Sequence, residues 1–169
     1  MRPNSLDVAW SRAYAKQGLS DLSVRQTLAT GFEVCHGLHY LQMAAEKICK
    51  AHMCMLQGHQ VVNAKKSHQV IAKHLRLLAN DFPRKHPDKE IRESTIRAVR
   101  RFAKAIELLA PAVHQAHTRE DNCEYPWQSK TGVQIPCEYK FPQFDGVERF
   151  LVPVIRLLEQ SAREILASL

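Results

Sequence analysis

Glycine is scarce in this chain, at 6 of 169 residues, and aromatic residues make up 7%. No internal repeat and no low-complexity tract is present, so solenoid and biased-composition classes drop out. No apolar run approaches the roughly eighteen residues of a membrane-spanning helix. The first residues, MRPNSLDVAW, lack the apolar core of a secretory signal. Cysteine is sparse and odd in number: Cys35, Cys49, Cys54, Cys123 and Cys137. No pair has the C-x-x-C spacing of a zinc or redox site. Cys123 and Cys137 flank a loop and have room to meet, but nothing points to an oxidising compartment, so no disulfide is expected. A reduced, cytoplasmic protein is the expectation.

What is present is apolar enough to fold, at 45%, which excludes a disordered charged tail. One domain is expected at this length, with a sizeable core. There are 24 Lys or Arg against 17 Asp or Glu, a net charge of +7, and 9 histidines. Two readings of the charge stand: a solvated surface, or a polyanionic partner such as RNA, DNA or a nucleotide. No stretch is both strongly basic on one face and rich in Trp or Phe on the other, so a membrane surface is not expected.

Apolar residues recur at helical spacing in five segments. The first, about Leu6 to Ala29, carries Leu6, Ala9, Trp10, Ala13, Tyr14, Leu22, Val24 and Leu28. Gly18 is a weak point within it, and Ser20-Asp21 is a candidate N-cap for a second helix. The second, about Phe32 to Gln57, repeats Cys35, Leu38, Leu41/Gln42, Ala45, Ile48/Cys49, His52 and Met55, and Gly58 is its stop signal. The third runs from about Ala64 to Phe82, before Pro83. The fourth, about Lys89 to Leu109, meets Pro111, where the helix kinks or a new turn runs on to His117. The last, Val147 to Ala167, closes an all-α, up-and-down bundle of about five helices. Between Arg119 and Gly146 the periodicity stops. That stretch holds five aromatics, Tyr125, Trp127, Tyr139, Phe141 and Phe144, and is too long for a plain connection. Val133-Gln134-Ile135 and Glu138-Tyr139-Lys140-Phe141 alternate weakly, as short extended pieces.

Three groups of side chains are candidates for function. His39, Gln42, Glu46 and Lys50 share a face of the second segment, with Glu46 four residues before Lys50, the favourable order for a helical ion pair. They either order the bundle as a polar stripe or line a groove or dimer seam. Between Arg84 and Lys104 stand eight Lys or Arg against three acids, a net +5. Arg97, Arg101 and Lys104 fall on one helical face, and Arg84-Lys85 extend it toward the helix start. This stripe is either solvated or a phosphate-binding surface. Tyr125 and Trp127 either stack on bases or pin the long loop. A metal site from His36, His39 and Tyr40 lacks a carboxylate at the right spacing, so neither metal nor cofactor is expected.

The row His39, Gln42, Ala44 or Ala45, Glu46, Lys47, Lys50 and Ala51 resembles the signature helix of the HEPN superfamily, small helical bundles of higher eukaryotes and prokaryotes. Ser20-Asp21-Leu22 is similar to that family's first helix, and Ser67-His68 with Ile71, His74 and Leu75 to its third. The likeness covers about residues 7 to 118. It implies a homodimeric helical module whose partners are RNA, a nucleotide or a small nucleotidyltransferase, as in toxin–antitoxin pairs. Many members are metal-independent ribonucleases in which an Arg precedes a His by five to seven positions. None of the nine histidines here has such an arginine. The resemblance therefore implies a module that binds without cutting. The alternative is a ribonuclease with a rearranged site, drawing His39, His114 or His117 toward Arg97 or Arg101.

Overall fold

The computed structural model describes residues 4–28, 31–56, 61–81, 87–111, 120–146 and 148–168. Among them are six helices: α1 (Ser5–Leu28), α2 (Val34–Met55), α3 (Val61–Lys66), α4 (Ile71–Asp81), α5 (Lys89–Glu107) and α6 (Glu148–Ala167). A two-stranded antiparallel hairpin, β1 (Trp127–Ser129) and β2 (Gly132–Gln134), sets Trp127 opposite Gln134. The chain is an all-α bundle with this hairpin as its only sheet among the described residues. No helix among them is long and apolar enough to cross a membrane.

α2 is the central element because its burial extends beyond one apolar stripe to Ala44, Ala51 and Cys54. Cys35, Leu38, Leu41, Ala45, Ile48 and Cys49 are all buried, and α1, α4, α5 and α6 pack around it. One continuous core joins Leu41 and Ile48 to Ile71 and Leu75 of α4, Phe102 and Ile106 of α5, and Leu157 and Leu158 of α6. Each fully buried side chain of this size contributes about 1.5–3 kcal/mol.

α1 decides between one helix and two for this segment, and its buried face departs from the expected one. It is one uninterrupted helix through Gly18, and Ser20-Asp21 starts no second one. Its inner face is not the apolar set: Leu6 is 59% exposed, and Ala9 and Ala13 also face outward. The buried face is Asp7, Ser11, Ala15, Gly18, Asp21 and Leu22. Small side chains let α1 approach α2 closely. A Cβ at Gly18 would lie 2.5 Å from Cγ1 of Ile48, so glycine there repays its cost of about 1 kcal/mol against alanine by close packing. The contact is also polar. Ser11 Oγ donates to the Ala51 carbonyl at 2.9 Å, and Lys47 Nζ meets Asp21 at 2.5 Å.

The expected third helix is two. Ser67 N–H closes α3 on the Asn63 carbonyl, and α4 restarts where Ala72 N–H donates to Glu107 Oε2 at 3.0 Å. The Glu107 carboxylate, buried on α5, thus caps the first turn of α4 from thirty-five residues away. Asp88 is a true N-cap for α5, accepting from Glu90 N–H at 2.8 Å and Ile91 N–H at 3.1 Å. α6 tolerates Pro153 near its start, where one backbone bond is lost. In the long loop, Val133 and Gln134 do form an extended piece. The second expected piece does not form: Pro136–Glu138 is a 3-10 turn, and Phe141 sits at φ +46°. Gly58, Arg84, Lys85, His114 and His117 lie outside the described residues.

Candidate nucleic-acid interface

The polar row of α2 is brought together around Glu46. Gln42 Nε2 donates to Glu46 Oε2 at 2.9 Å, and Lys50 Nζ lies 2.6 Å from Glu46 Oε1. His68, from the turn between α3 and α4, reaches the same oxygen at 3.4 Å. Gln42 and Lys50 are buried, and the Glu46 side chain is 13% exposed. The row therefore lies mostly inside the bundle. His39 is separate, with Nδ1 3.6 Å from Glu124 Oε1 and its ring edge-on to Tyr40. Tyr14 packs beside this cluster. Burial pushes its phenol up, with Cys54 and Glu46 adding to the effect. The Cys49 thiol is driven up by burial first, then by Glu107 and Glu46.

The basic residues of α5 are exposed but unequally engaged. Lys104 Nζ is held 2.6 Å from Glu107. Arg97, 66% exposed, lies 3.7 Å from Glu93. The Arg101 guanidinium lies over Phe102 and over Phe150 of α6, at 4.9 and 5.6 Å. Arg100 does something the linear pattern did not reveal. With Arg76 of α4 it flanks a groove of about 360 Å³ that also includes Asn80, Ile96 and Val99, and no acidic residue. Both arginines are exposed. Two arginines bordering one groove, with no carboxylate among its described lining residues, are suited to a phosphate, which a guanidinium can grip through two N–H groups. Periodicity places each arginine on the outer face of its own helix, but only the packing of α4 on α5 brings them to one groove.

The aromatic pair divides. Trp127 is buried, 3% exposed, while Tyr125 is 55% exposed. Trp127 stands edge-on to Tyr139, and Tyr139 edge-on to Phe141, at 5.0 and 5.1 Å between centroids. A hydrogen bond to Asp121 and then burial raise the Tyr139 phenol to about 12. Trp127 thus anchors the loop, and Tyr125 remains at the surface. All five cysteines are free thiols, so Cys123 and Cys137 are not paired. Burial raises the Cys123 thiol to about 12, and its Sγ–H donates to the Leu109 carbonyl. No group of three or more His, Cys, Asp or Glu among the described residues is arranged to hold a metal.

A second polar feature was not anticipated. His52 and His74 are buried with their Nδ1 atoms 3.4 Å apart. They border the end of the bundle where a cavity of about 430 Å³ has His52, Asp81 and Glu164 in its wall. Burial lowers the His74 pKa from its usual 6.5, and the Lys73 charge lowers it further. Both effects favour the neutral imidazole in the native protein. An unfolded chain binds this proton more readily, so stability is complete above the unfolded value and declines as pH falls through it toward the lower native one. Urea midpoints measured at about pH 7.5 and 5.5 should be lower at the acidic value with an unchanged slope. Equal midpoints would mean that His74 accepts a proton at no cost to the fold.

Compared with known families, curated proteins and solved structures, the chain matches none.

Proposed function

We propose that the chain is a HEPN-like helical module that binds RNA through the basic face of α4 and α5 and does not cleave it. The observation that carries this reading is the acid-free groove between Arg76 and Arg100. Arg97 adds an exposed charge on α5 beside Glu93, while Arg101 lies over Phe150 of α6. The resemblance of the α2 row to the HEPN signature helix supports the family part. The missing Arg-to-His spacing argues against cleavage. His39 adds no support for a rearranged site, because its neighbours are Glu124 and Tyr40 rather than an arginine. The buried free thiols suit a reducing, cytoplasmic setting.

Binding of this kind rests on counterion release. Its affinity should fall steeply between about 50 and 200 mM salt, with little sequence preference. Fluorescence anisotropy with a labelled single-stranded RNA measures it directly. Arg76→Ala with Arg100→Ala is expected to weaken binding about tenfold or more and to flatten the salt slope by about 1.4. The RNA should be recovered intact on a denaturing gel. A double variant that binds like the parent sinks the assignment of the surface. Cleavage that disappears in His39→Ala would instead establish the ribonuclease reading.

A further inference from the structure

Glycine inside a helix costs stability against alanine, so each one needs a reason. Gly18 has one, since Ile48 leaves no room for a side chain. Gly37, in the first turns of α2, does not: a Cβ there would meet no heavy atom within 4 Å, and its φ is not left-handed. No packing contact with the described residues requires its missing side chain. Its effect is to keep open a groove of about 340 Å³ between the α1–α2 turn and α6, within the size range of small-molecule sites.

The groove has a two-part character. Phe32, Val152 and Ile155 are part of its apolar wall, and Phe32 and Val152 are 61% and 40% exposed. The charged members are Arg25, Arg149 and Glu33, two guanidiniums against one carboxylate. Such a wall favours a ligand with an apolar body and one negative head. Water covers large apolar side chains at a cost, and a concave site recovers it when an apolar body enters. A guanidinium pairs with a carboxylate through parallel N–H bonds, which neither a neutral nor a cationic head can accept in the same way.

We propose that the groove around Gly37 binds a small amphipathic anion, its apolar body on Phe32, Val152 and Ile155 and its head toward Arg25 and Arg149. The site is formed by α1, α2 and α6, shares no lining residue with the Arg76–Arg100 groove, and does not rest on the RNA reading.

Decanoate is a suitable probe, with decanol and decyltrimethylammonium as the neutral and cationic counterparts. Calorimetry on the full chain should show decanoate binding more tightly than either. Amide shifts in nitrogen-15 spectra should be confined to residues near 32–38 and 149–155. Gly37→Leu fills the groove while improving helix propensity, so it should abolish binding with an unchanged or higher melting temperature. Arg149→Ala should weaken decanoate about tenfold and leave decanol unaffected. Equal binding of decanoate and decanol overturns the proposal, as does binding that survives Gly37→Leu. Shifts spread over α5 would mean non-specific charge attraction and overturn it too. Shifts in this groove that appear on concentrating the protein alone would assign it to a second copy of the chain.

Discussion

Replacing Glu46 by alanine is expected to lower the stability of the bundle by about 3–5 kcal/mol, the usual cost of stripping one partner from a buried ion pair. Glu46 receives Lys50 at 2.6 Å, Gln42 at 2.9 Å and His68 at 3.4 Å. Without it the Lys50 ammonium, 7% exposed, keeps its burial and loses its counter-charge. Gln42 already has one orphan, since its Oε1 is buried with no partner. Loss of the Nε2 acceptor would leave its whole amide unsatisfied, at about 1–3 kcal/mol within that total. Urea unfolding followed by helical circular dichroism gives the number. The companion measurement is Glu46→Leu combined with Lys50→Met, which removes both charges together. It should recover most of the loss, because apolar replacements of a buried pair are often neutral. A single-variant cost below about 1 kcal/mol would place the pair among ordinary surface salt bridges. The polar row of α2 would then be free for binding rather than committed to holding α2 against the α3–α4 turn.

The elements that were legible in the sequence are those whose burial is apolar and periodic. The α2 stripe is one, since Leu38, Leu41, Ala45 and Ile48 both repeat at helical spacing and lie in the core. α1 was legible as helix but not in its orientation. Its inner face is made by Ser11, Ala15, Gly18 and Asp21, whose value lies in smallness and hydrogen bonding, and no hydrophobicity pattern marks that. The break between α3 and α4 was hidden for a related reason: the cap comes from Glu107, thirty-five residues away. The basic charge was legible as a run on α5, but a run shows only one helix. Arg76 entered the candidate site through the packing of α4 on α5. Gly37 was invisible as a feature because its meaning is the empty space beside it.

Trp127→Ala should cost about 3–5 kcal/mol, as truncation of a large buried aromatic does. The loss should be felt mainly between residues 120 and 146. Trp127 is the outermost ring of a chain of edge-to-face contacts that runs through Tyr139 to Phe141. Phe141 is fully buried in the main core, where Phe144 also stacks on Phe102 of α5 at 6.1 Å. The other ties of the loop are polar: Cys123 donates to the Leu109 carbonyl, and Glu124 lies beside His39 of α2. Asn122 Oδ1 accepts from Glu124 N–H and Tyr125 N–H at 2.9 and 2.7 Å, and Asp121, at φ +62°, accepts from Gln143. These hydrogen bonds contribute about 1 kcal/mol each, so they do not replace the aromatic anchor. Hydrogen exchange should therefore speed up across the hairpin and the 3-10 turn in Trp127→Ala, while the α1–α2 amides keep their protection. Tyr125→Ala is the contrasting case. Its ring is 55% exposed, and removing it should change stability by no more than about 0.5 kcal/mol. If Tyr125→Ala nonetheless weakens RNA binding, the loop presents that ring for base stacking beside the arginine surface. If neither stability nor binding moves, the aromatic content of this loop serves only to fasten it to the bundle.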